Sequence, residues 1–264
     1  MKIGVMGAAG RMGTAIVETL IEKDKDFLAG GHVGRSKERV GQDLGSLCGQ
    51  DKLGVTMTDQ AQVLFTQSDI VIDFTSPNCI EENCQMAKMT QTGLVVGTTG
   101  LSEEHFAILN DASQSVPVVY APNTSLGINI LVSLVEQTAR ILDDDFDIEI
   151  FEAHHKFKKD APSGTAVALG EAAAKGRGLE KLDTDVTDRN GERQKGDIGF
   201  SVMRGGDIVG EHNVVFAGMG ERLELGHRAI DRKIFAKGAV HAALWLKDQK
   251  PGLYNMKDVL GLSA

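Results

Sequence analysis

The strongest constraint on the fold is a series of short apolar strands that alternate with helical segments through the first half of the chain. Runs such as IVIDF (70–74) and LVVG (94–97) are apolar at almost every position, so both of their faces would be buried. Strands are predicted at 2–6, 27–33, 55–58, 70–74, 94–97 and 117–120, and helices at 12–22, 79–91 and 102–112. The alternation predicts an α/β fold with a doubly wound parallel sheet.

The pattern changes after Asn123. Helical spacing at 125–142 is followed by an alternating strand at 147–154 and a helix at 165–174. Three further strands, at 198–204, 211–217 and 222–227, follow one another without helices between them, and a helix at 234–247 comes last. This order predicts a second α+β domain with an open, mixed or antiparallel sheet. The stretch 175–197, rich in Gly, Asp and Lys, is expected to be a mobile surface loop.

Composition excludes several classes of protein. The 28 Lys and Arg residues against 37 Asp and Glu residues give a net charge of −9, which is unfavourable for a nucleic-acid surface. Cys48, Cys79 and Cys84 form no CxxC pair and are odd in number, so neither a disulfide framework nor a zinc knuckle is indicated. No apolar run approaches the roughly 18 to 20 residues of a membrane helix. We therefore expect a cytoplasmic protein with no membrane span.

A glycine-rich turn connects the first predicted strand to the first helix. It comprises Gly7, Ala8, Ala9, Gly10, Arg11, Met12 and Gly13. Gly7 would form the tight turn, Gly10 would admit a pyrophosphate close to the backbone, and Gly13 would let helix and strand pack closely. Such a turn can be purely structural, but its strand-turn-helix context favours nucleotide binding at the helix start.

The end of the second strand indicates which nucleotide binds. An acidic residue there would accept the ribose hydroxyls of NAD, whereas this chain has Gly34, followed by Arg35, Ser36, Lys37 and Arg39. A basic cluster suits a 2′-phosphate better than a diol. The sequence therefore favours NADPH, with Arg35 as the principal contact, and a solvated basic turn is the alternative.

Two more loops follow strands on the same predicted edge of the sheet. Ligands of open α/β sheets bind beyond the carboxyl ends of the strands, so both loops should face the nicotinamide half of the cofactor. The residues concerned are Gly97, Thr98 and Thr99 after one strand and Ala121, Pro122, Asn123 and Thr124 after the next.

The segment 152–166, EAHHKFKKDAPSGTA, carries the clearest chemistry. His154 and His155 supply groups that titrate near neutrality, and the lysines supply fixed cations for substrate carboxylates. Ser163, Gly164 and Thr165 begin a helix whose free amides form a second anion site. The histidines could instead be one core and one surface residue, or metal ligands. Neighbouring strand residues point to opposite faces, which argues against joint chelation.

These segments together resemble the dihydrodipicolinate reductase family. The resemblance rests on EAHHKFKKDAPSGTA (152–166), GAAGRMG (7–13), DFTSP (73–77), GTTG (97–100) and VGEHNVVFAGMGERLELGHRA (209–229), and it spans essentially the whole chain. The segment 152–166 agrees with the family pattern E-x-H-H-x-x-K-x-D-x-P-S-G-T-A at every specified position.

The resemblance implies a domain organisation and a reaction. Residues 1–125 and 232–264 would form a Rossmann-like dinucleotide-binding domain, and residues 126–231 a domain for substrate binding and homotetramer formation. The enzyme would reduce the cyclic dicarboxylate 4-hydroxy-tetrahydrodipicolinate with NAD(P)H, giving tetrahydrodipicolinate and water, in lysine biosynthesis through diaminopimelate. The hydride would pass to ring C4.

The resemblance also implies residue roles. Residues 7–12 would bind the pyrophosphate, and the loops 97–99 and 121–124 would line the nicotinamide side. His154 would be the catalytic proton donor, Lys158 the second proton donor and His155 a substrate contact, while the amides of Gly164 and Thr165 would bind a carboxylate. The chain departs from a common family pattern at Gly34, where many members carry an acidic residue. This departure favours NADPH, with NADH possible.

Two other functions fit a similar scaffold. One is a different oxidoreductase, such as an amino-acid dehydrogenase, since a fold does not fix function. The other is a catalytically silent NADPH sensor. The dehydrogenase would need another constellation in place of the His, Lys and Ser-Gly-Thr group, and the sequence shows none. The sensor has no need of a proton donor beside an anion-binding helix start.

Overall fold

A computed structural model describes residues 1–180, 182 and 191–262. The chain divides into two compact units, one formed by Met1–Leu126 with Lys233–Ala264 and the other by Gly127–Arg232. The family resemblance implied the ranges 1–125 with 232–264 and 126–231. Of the loop predicted at 175–197, residues 181 and 183–190 lie outside the described residues, and Lys175 and Gly176 belong to a helix instead.

The first unit is built on one parallel sheet of seven strands. The strands are β1 (Ile3–Met6), β2 (Leu28–His32), β3 (Met57–Thr58), β4 (Ile70–Asp73), β5 (Gly93–Val96), β6 (Pro117–Tyr120) and β11 (Gly252–Tyr254), in the order β11-β6-β5-β4-β1-β2-β3. The chain runs outward from β1 to β3 and then crosses back to β4. The strand order therefore reverses between β1 and β4, which is where open α/β sheets bind ligands.

Helices cover both faces of this sheet. They are α1 (Arg11–Asp24), α2 (Leu44–Leu47), α3 (Ala61–Thr66), α4 (Ile80–Thr90), α5 (Glu103–Ser113), α8 (Lys233–Leu246) and α9 (Met256–Val259), with 3₁₀ turns at Lys25–Phe27, Lys37–Arg39 and Pro77–Cys79. Ile72 packs into the core beneath α1 and α8, whereas the preceding Val71 packs into the core beneath α4 and α5. Burial on both faces confirms the doubly wound sheet.

The second unit has a mixed sheet of four strands. The strands are β7 (Asp147–His154), β8 (Ile198–Arg204), β9 (Gly210–Gly218) and β10 (Glu221–Ala229), in the order β10-β9-β7-β8, and only the pairing of β7 with β8 is parallel. The helices α6 (Leu126–Ile141) and α7 (Gly164–Gly176) share a buried core with this sheet.

The mixed sheet has one covered face and one open face. Ile150 of β7 and Phe216 of β9 are buried against the helices. Phe151 and Met203, on the opposite face, are 39% and 47% exposed. The alternation along the strands thus gives the open mixed sheet that the sequence predicted. No helix within the described residues is both long and apolar enough to cross a membrane.

Candidate functional site

The first unit contains a cavity of about 560 Å³ at the carboxyl ends of its central strands. Met6 and Gly7 line it from the end of β1, residues 32–36 from the end of β2, and residues 74–76 from the end of β4. The other lining residues are Gly10, Ala61, Cys79, Glu82 and Asn83. The cavity therefore lies where the strand order reverses, as the sheet topology predicts for a nucleotide.

The glycine-rich turn forms one wall of this cavity. Gly7 has a φ of +62°, and its carbonyl accepts a 2.8 Å hydrogen bond from the Gly10 N–H. A Cβ atom on Gly13 would lie 2.1 Å from the Gly7 carbonyl oxygen, so only glycine lets α1 begin this close to β1. Gly10 caps α1 without a side chain. The first helical N–H groups thus meet no capping side chain and fit the pyrophosphate of a dinucleotide.

The remaining residues of the turn surround the cavity rather than line it. Ala8 is fully buried in the core beneath α1, and its N–H donates to the His32 carbonyl over 2.8 Å. Ala9 and Met12 are partly buried and Arg11 is exposed, and none of them lines the cavity.

The turn after β2 is held by a histidine. Nδ1 of His32 accepts the Gly34 N–H over 3.1 Å, so the ring hydrogen lies on Nε2, which donates to the Asp59 carbonyl over 3.2 Å. Gly34 has a φ of +62°, a conformation that side chains rarely adopt. Both Gly34 and Arg35 line the cavity, as does Ser36. The role of His32 was not foreseen from the sequence, because its partner Asp59 follows a different strand.

Asp73, at the end of β4, is fully buried beside the cavity. Its carboxylate accepts hydrogen bonds from the Thr75 N–H (2.8 Å), the Thr75 hydroxyl (2.6 Å) and the Asn83 side chain (2.8 Å). Burial raises the pKa of Asp73, although these hydrogen bonds and His32 oppose that shift. Asp73 thus ties the turn at Thr75 to Asn83 of α4, and both residues line the cavity.

The two predicted nicotinamide loops occupy the next strand ends. Residues 97–99 follow β5 and residues 121–124 follow β6, outside the lining of the described cavity. Gly97 packs against the Phe74 ring, where a Cβ would lie 2.1 Å from the ring. Among the described residues the buried Thr98 hydroxyl has no hydrogen-bond partner, which fits a polar group of a bound cofactor. The Thr124 hydroxyl donates to the Phe235 carbonyl and so ties this loop to α8.

In the second unit a buried carboxylate organises the segment 152–166. Glu152 is fully buried on the helix-covered face of β7. It accepts hydrogen bonds from Arg204 Nη2 (2.7 Å) and Nη1 (2.8 Å), from His154 Nδ1 (2.6 Å) and from the Ser163 N–H (2.9 Å). Burial acts to raise the pKa of Glu152, but the hydrogen bonds from Arg204, His154 and Ser163 lower it overall. Glu152 is therefore an anion at neutral pH.

His154, two residues along β7, shares this face. Because Nδ1 faces the Glu152 anion, it carries the ring hydrogen and leaves the lone pair on Nε2. Burial lowers the pKa of His154, Glu152 raises it, and Lys158 and Arg204 lower it further, so that it falls below 6.5. The His212 ring lies edge-on to it at 5.2 Å between centroids.

His155 and Lys158 lie just beyond β7. His155 is half-buried, and its Nδ1 atom has no hydrogen-bond partner within the part of the chain that the structure describes. The Lys158 ammonium pairs with Asp160 over 2.8 Å. No group of three or more His, Cys, Asp or Glu side chains among the described residues could hold a metal ion.

The start of α7 lies beside His154 through its contacts with Glu152 and His212. Ser163 caps the helix: its hydroxyl accepts the Ala166 N–H over 3.2 Å and lies 3.2 Å from His212 Nε2. Ser163 is only 2% exposed, whereas Gly164 is exposed and has open space around the position of a Cβ. Thr165 is half-buried. The structure therefore offers Gly164, rather than the Ser163 side chain, to a ligand.

Three members of this cluster were not assigned a role from the sequence: Glu152, Arg204 and His212. Arg204 stands opposite His154 in the β7–β8 register, and His212 stands opposite Glu152 in the β7–β9 register. A sequence without known strand pairing does not reveal either relationship. The one sequence feature that could have indicated them is that Arg204 and His212 occur at the ends of strand-like runs.

Comparisons with known proteins agree on one family. Profiles described as Dihydrodipicolinate reductase, N-terminus, and Dihydrodipicolinate reductase, C-terminus, match residues 1–124 and 127–260. Proteins named 4-hydroxy-tetrahydrodipicolinate reductase from Pseudoalteromonas atlantica and from a Ruegeria species are 47% and 50% identical, covering 99% and 98% of both chains, respectively.

Solved structures share the fold. A dipicolinate-bound dihydrodipicolinate reductase from a Paenisporosarcina species has a TM-score of 0.78 at 22% identity, over 98% of both chains. A probable dehydrogenase from Thermotoga maritima has a TM-score of 0.63 at 12% identity, over 98% of this chain and 92% of that one. The chain therefore belongs to the dihydrodipicolinate reductase family, whose members are NAD(P)H-dependent oxidoreductases.

Proposed function

We propose that this chain reduces 4-hydroxy-tetrahydrodipicolinate to tetrahydrodipicolinate and water, with NADPH as the preferred reductant, in lysine biosynthesis through diaminopimelate. The observation that carries the proposal is the His154–Glu152 pair, joined through the Ser163 N–H to the start of α7. A proton donor and an anion-binding helix start are thus held by one carboxylate. We infer the identity of the substrate from the names of the relatives, and the proton-transfer step from the His154–Glu152 pair.

The substrate carries two carboxylates, and the second unit offers groups suited to both. The first amides of α7, at Gly164 and Thr165, lie at the positive end of the helix dipole and would bind one of them. Lys158, whose side chain is 21% exposed, would exchange its pairing with Asp160 for substrate. His155, just beyond β7, would supply a further contact.

Proton delivery is the task of His154. The C4 hydroxyl of the substrate first leaves as water, which gives a conjugated imine. When bound, the reduced nicotinamide would supply a hydride to ring C4 of that imine, and negative charge would develop on the ring. The His154 imidazolium, held by Glu152 at Nδ1, gives up its Nε2 proton to that charge and returns to the neutral form. A positioned general acid typically contributes about 10² to 10⁴ in rate. Lys158 would act as the second proton donor.

The cofactor would occupy the cavity of the first unit. The turn from Gly7 to Met12 would hold the pyrophosphate, and the loops 97–99 and 121–124 would hold the nicotinamide half, with the Thr98 hydroxyl as a polar partner. Arg35 and Ser36 line the cavity beside Gly34, where they would bind a 2′-phosphate. This charge pattern supports a preference for NADPH, with NADH as a weaker substrate.

The open face of the second sheet supports a homotetramer. Phe151 and Met203 expose apolar surface on this face, where the described residues provide no covering element. Light scattering during gel filtration would test this assignment, and a mass other than that of four chains would contradict it.

Steady-state oxidation of NADPH and NADH tests the proposed reaction, with substrate made in situ from pyruvate and aspartate semialdehyde by the preceding synthase. We expect rapid oxidation of NADPH and slower oxidation of NADH. His154→Ala and Lys158→Ala should each lower kcat by about 10² or more while the Kd for NADPH stays unchanged. Lys159→Ala, which removes a neighbouring exposed cation, is the matched control and should retain full turnover.

Two outcomes would contradict the proposal. If the His154 and Lys158 variants lose turnover and NADPH affinity equally, these two residues do not act in the chemical step. A folded, NADPH-binding protein that oxidises no NADPH with this substrate would favour a different dehydrogenase or a sensor.

A further inference from the structure

The Glu152 carboxylate is saturated with hydrogen-bond donors. Two N–H groups of Arg204, one of His154 and the main-chain N–H of Ser163 reach it at 2.6 to 2.9 Å. Two carboxylate oxygens offer about four acceptor positions, so these donors use its full capacity. The side chain is fully buried, and an ion in that environment requires such pairing.

This arrangement permits one tautomer of His154. An unprotonated Nδ1 atom would place its lone pair 2.6 Å from a Glu152 oxygen, which would repel it. The hydrogen therefore resides on Nδ1, and Nε2 is the only position at which the ring gains or loses its catalytic proton. Nε2 lies close to Gly210, where a Cβ atom would approach it to 3.1 Å. Glycine at this position leaves room around the reactive nitrogen.

Arg204 connects the carboxylate to the loop that carries Lys158. Its guanidinium binds Glu152 through both Nη atoms, and Nη2 also donates to the Asp160 carbonyl over 2.7 Å. The Asp160 carboxylate in turn pairs with Lys158. A lysine at 204 could not make these contacts together, because they need the planar two-pronged geometry of arginine.

From this network we infer that Glu152 and Arg204 are positioning residues that act through His154. Glu152 fixes the ring hydrogen on Nδ1 and fixes the start of α7 through the Ser163 N–H. Arg204 holds Glu152 in place and ties the Lys158 loop to it. The two proton donors and the carboxylate-binding amides therefore keep a constant geometry. This inference rests on the function proposed above, because it takes His154 as the proton donor.

The charges around His154 decide how a substitution would change its titration. Glu152 faces it from β7, Arg204 from β8, the edge of His212 from β9, and Lys158 from the following loop. Of these groups Glu152 raises the pKa of His154, whereas Lys158 and Arg204 lower it. Removal of the Glu152 charge would therefore lower that pKa further and confine the protonated donor to more acidic pH.

The pH profile of kcat/KM for the substrate tests the role of Glu152, because that profile reports the free enzyme. In Glu152→Gln the limb that reflects loss of the protonated donor should move to lower pH by about one unit or more. At pH 7 kcat/KM should fall by about 100-fold, with the Kd for NADPH unchanged. Glu149→Gln is the matched control: Glu149 also lies on β7 and pairs with Arg193, but on the open face, so its pH profile should match the wild type.

Arg204 offers a test that does not alter the carboxylate. Arg204→Ala should lose kcat by at least about tenfold, and millimolar guanidinium ion should restore part of it, whereas equal concentrations of NaCl should not. The kcat of Arg204→Lys should be lower than that of Arg204→Ala supplied with guanidinium ion. Unchanged turnover in a folded Arg204→Ala protein would overturn the inference, as would an unshifted pH profile in Glu152→Gln.

The ¹⁵N spectrum of histidine-labelled wild-type protein provides a readout independent of activity, with the His154 signals assigned from their absence in His154→Gln. We expect His154 as the Nδ1–H tautomer in neutral protein and loss of that preference in Arg204→Ala. An Nε2–H tautomer in the wild type would overturn the inference even if Glu152→Gln failed to fold. Failure of the reductase reaction would be detected separately, as absence of wild-type NADPH oxidation.

Discussion

Nε2 of His212 lies 3.2 Å from the hydroxyl oxygen of Ser163, and the two residues are only 5% and 2% exposed. This contact joins β9 to the first turn of α7. The Ser163 hydroxyl already accepts the Ala166 N–H, so its own hydrogen is free to reach a neutral imidazole. Burial, reinforced by the nearby His154, lowers the pKa of His212 to about 4. The contact therefore depends on an uncharged His212.

Stability should consequently fall in acid through His212. The unfolded chain binds this proton near pH 6.5, whereas the folded protein excludes it until about pH 4, so between these values the unfolded state holds more protons. The resulting loss is up to about 3 kcal/mol of unfolding free energy as the pH drops across that window. Urea denaturation of wild type and His212→Gln at several pH values should show their stability difference narrowing by this amount. If the stabilities of the two proteins change in parallel with pH, His212 is not the cause of the loss in acid.

Ser163→Ala should lower the free energy of unfolding by more than the loss of an ordinary helix cap does. Removing the cap costs about 1 kcal/mol, and the partnerless Nε2 of buried His212 adds a further 1 to 3 kcal/mol, roughly. Asn255→Ala, which removes the exposed cap of α9, is the matched control and should cost only about 1 kcal/mol. Denaturant midpoints test this order. Ser163→Ala should also raise the KM for the substrate, which Asn255→Ala should leave unchanged.

The sequence predicted most of the fold because burial leaves a periodic signature. Val71 and Ile72 face opposite cores, and a run that is apolar on both sides is recognisable without a structure. The helices α2, α3 and α9 and the strand β11 were not predicted. Each has six residues or fewer, too short to develop a period of its own.

In the second unit, the candidate residues that the sequence singled out are neighbours in the chain. His154 and Gly164 fall within one segment whose composition indicates acid–base chemistry beside a helix start. Arg204 bonds to Glu152 across 52 residues, and His212 contacts Ser163 across 49. These contacts arise from strand register, which follows from tertiary packing rather than from local sequence.

Arg35 should determine which nicotinamide cofactor the chain prefers. A charge-assisted hydrogen bond contributes about 1.5 to 3 kcal/mol, so Arg35→Ala should raise the KM for NADPH by about 10- to 100-fold. The KM for NADH, which has no 2′-phosphate, should change little. Lys37→Ala is the control, because Lys37 belongs to the same basic turn but does not line the described cavity. If the KM for NADPH is unchanged in Arg35→Ala, the basic turn is solvated and does not bind the cofactor.

Gly164→Ala should separate substrate binding from both stability and proton transfer. The position is exposed, no atom lies within 4 Å of the added Cβ, and alanine suits a helix start, so the unfolding free energy should be unchanged or a few tenths of a kcal/mol higher. The methyl group would stand where the proposed site would admit a substrate carboxylate to the first amides of α7, so the KM for the substrate should rise severalfold. Because His154 and Glu152 are untouched, kcat and its pH profile should remain those of the wild type. Glu171→Ala, an exposed change on the same helix, should leave KM unaltered. A wild-type KM in Gly164→Ala would remove the helix start from substrate binding.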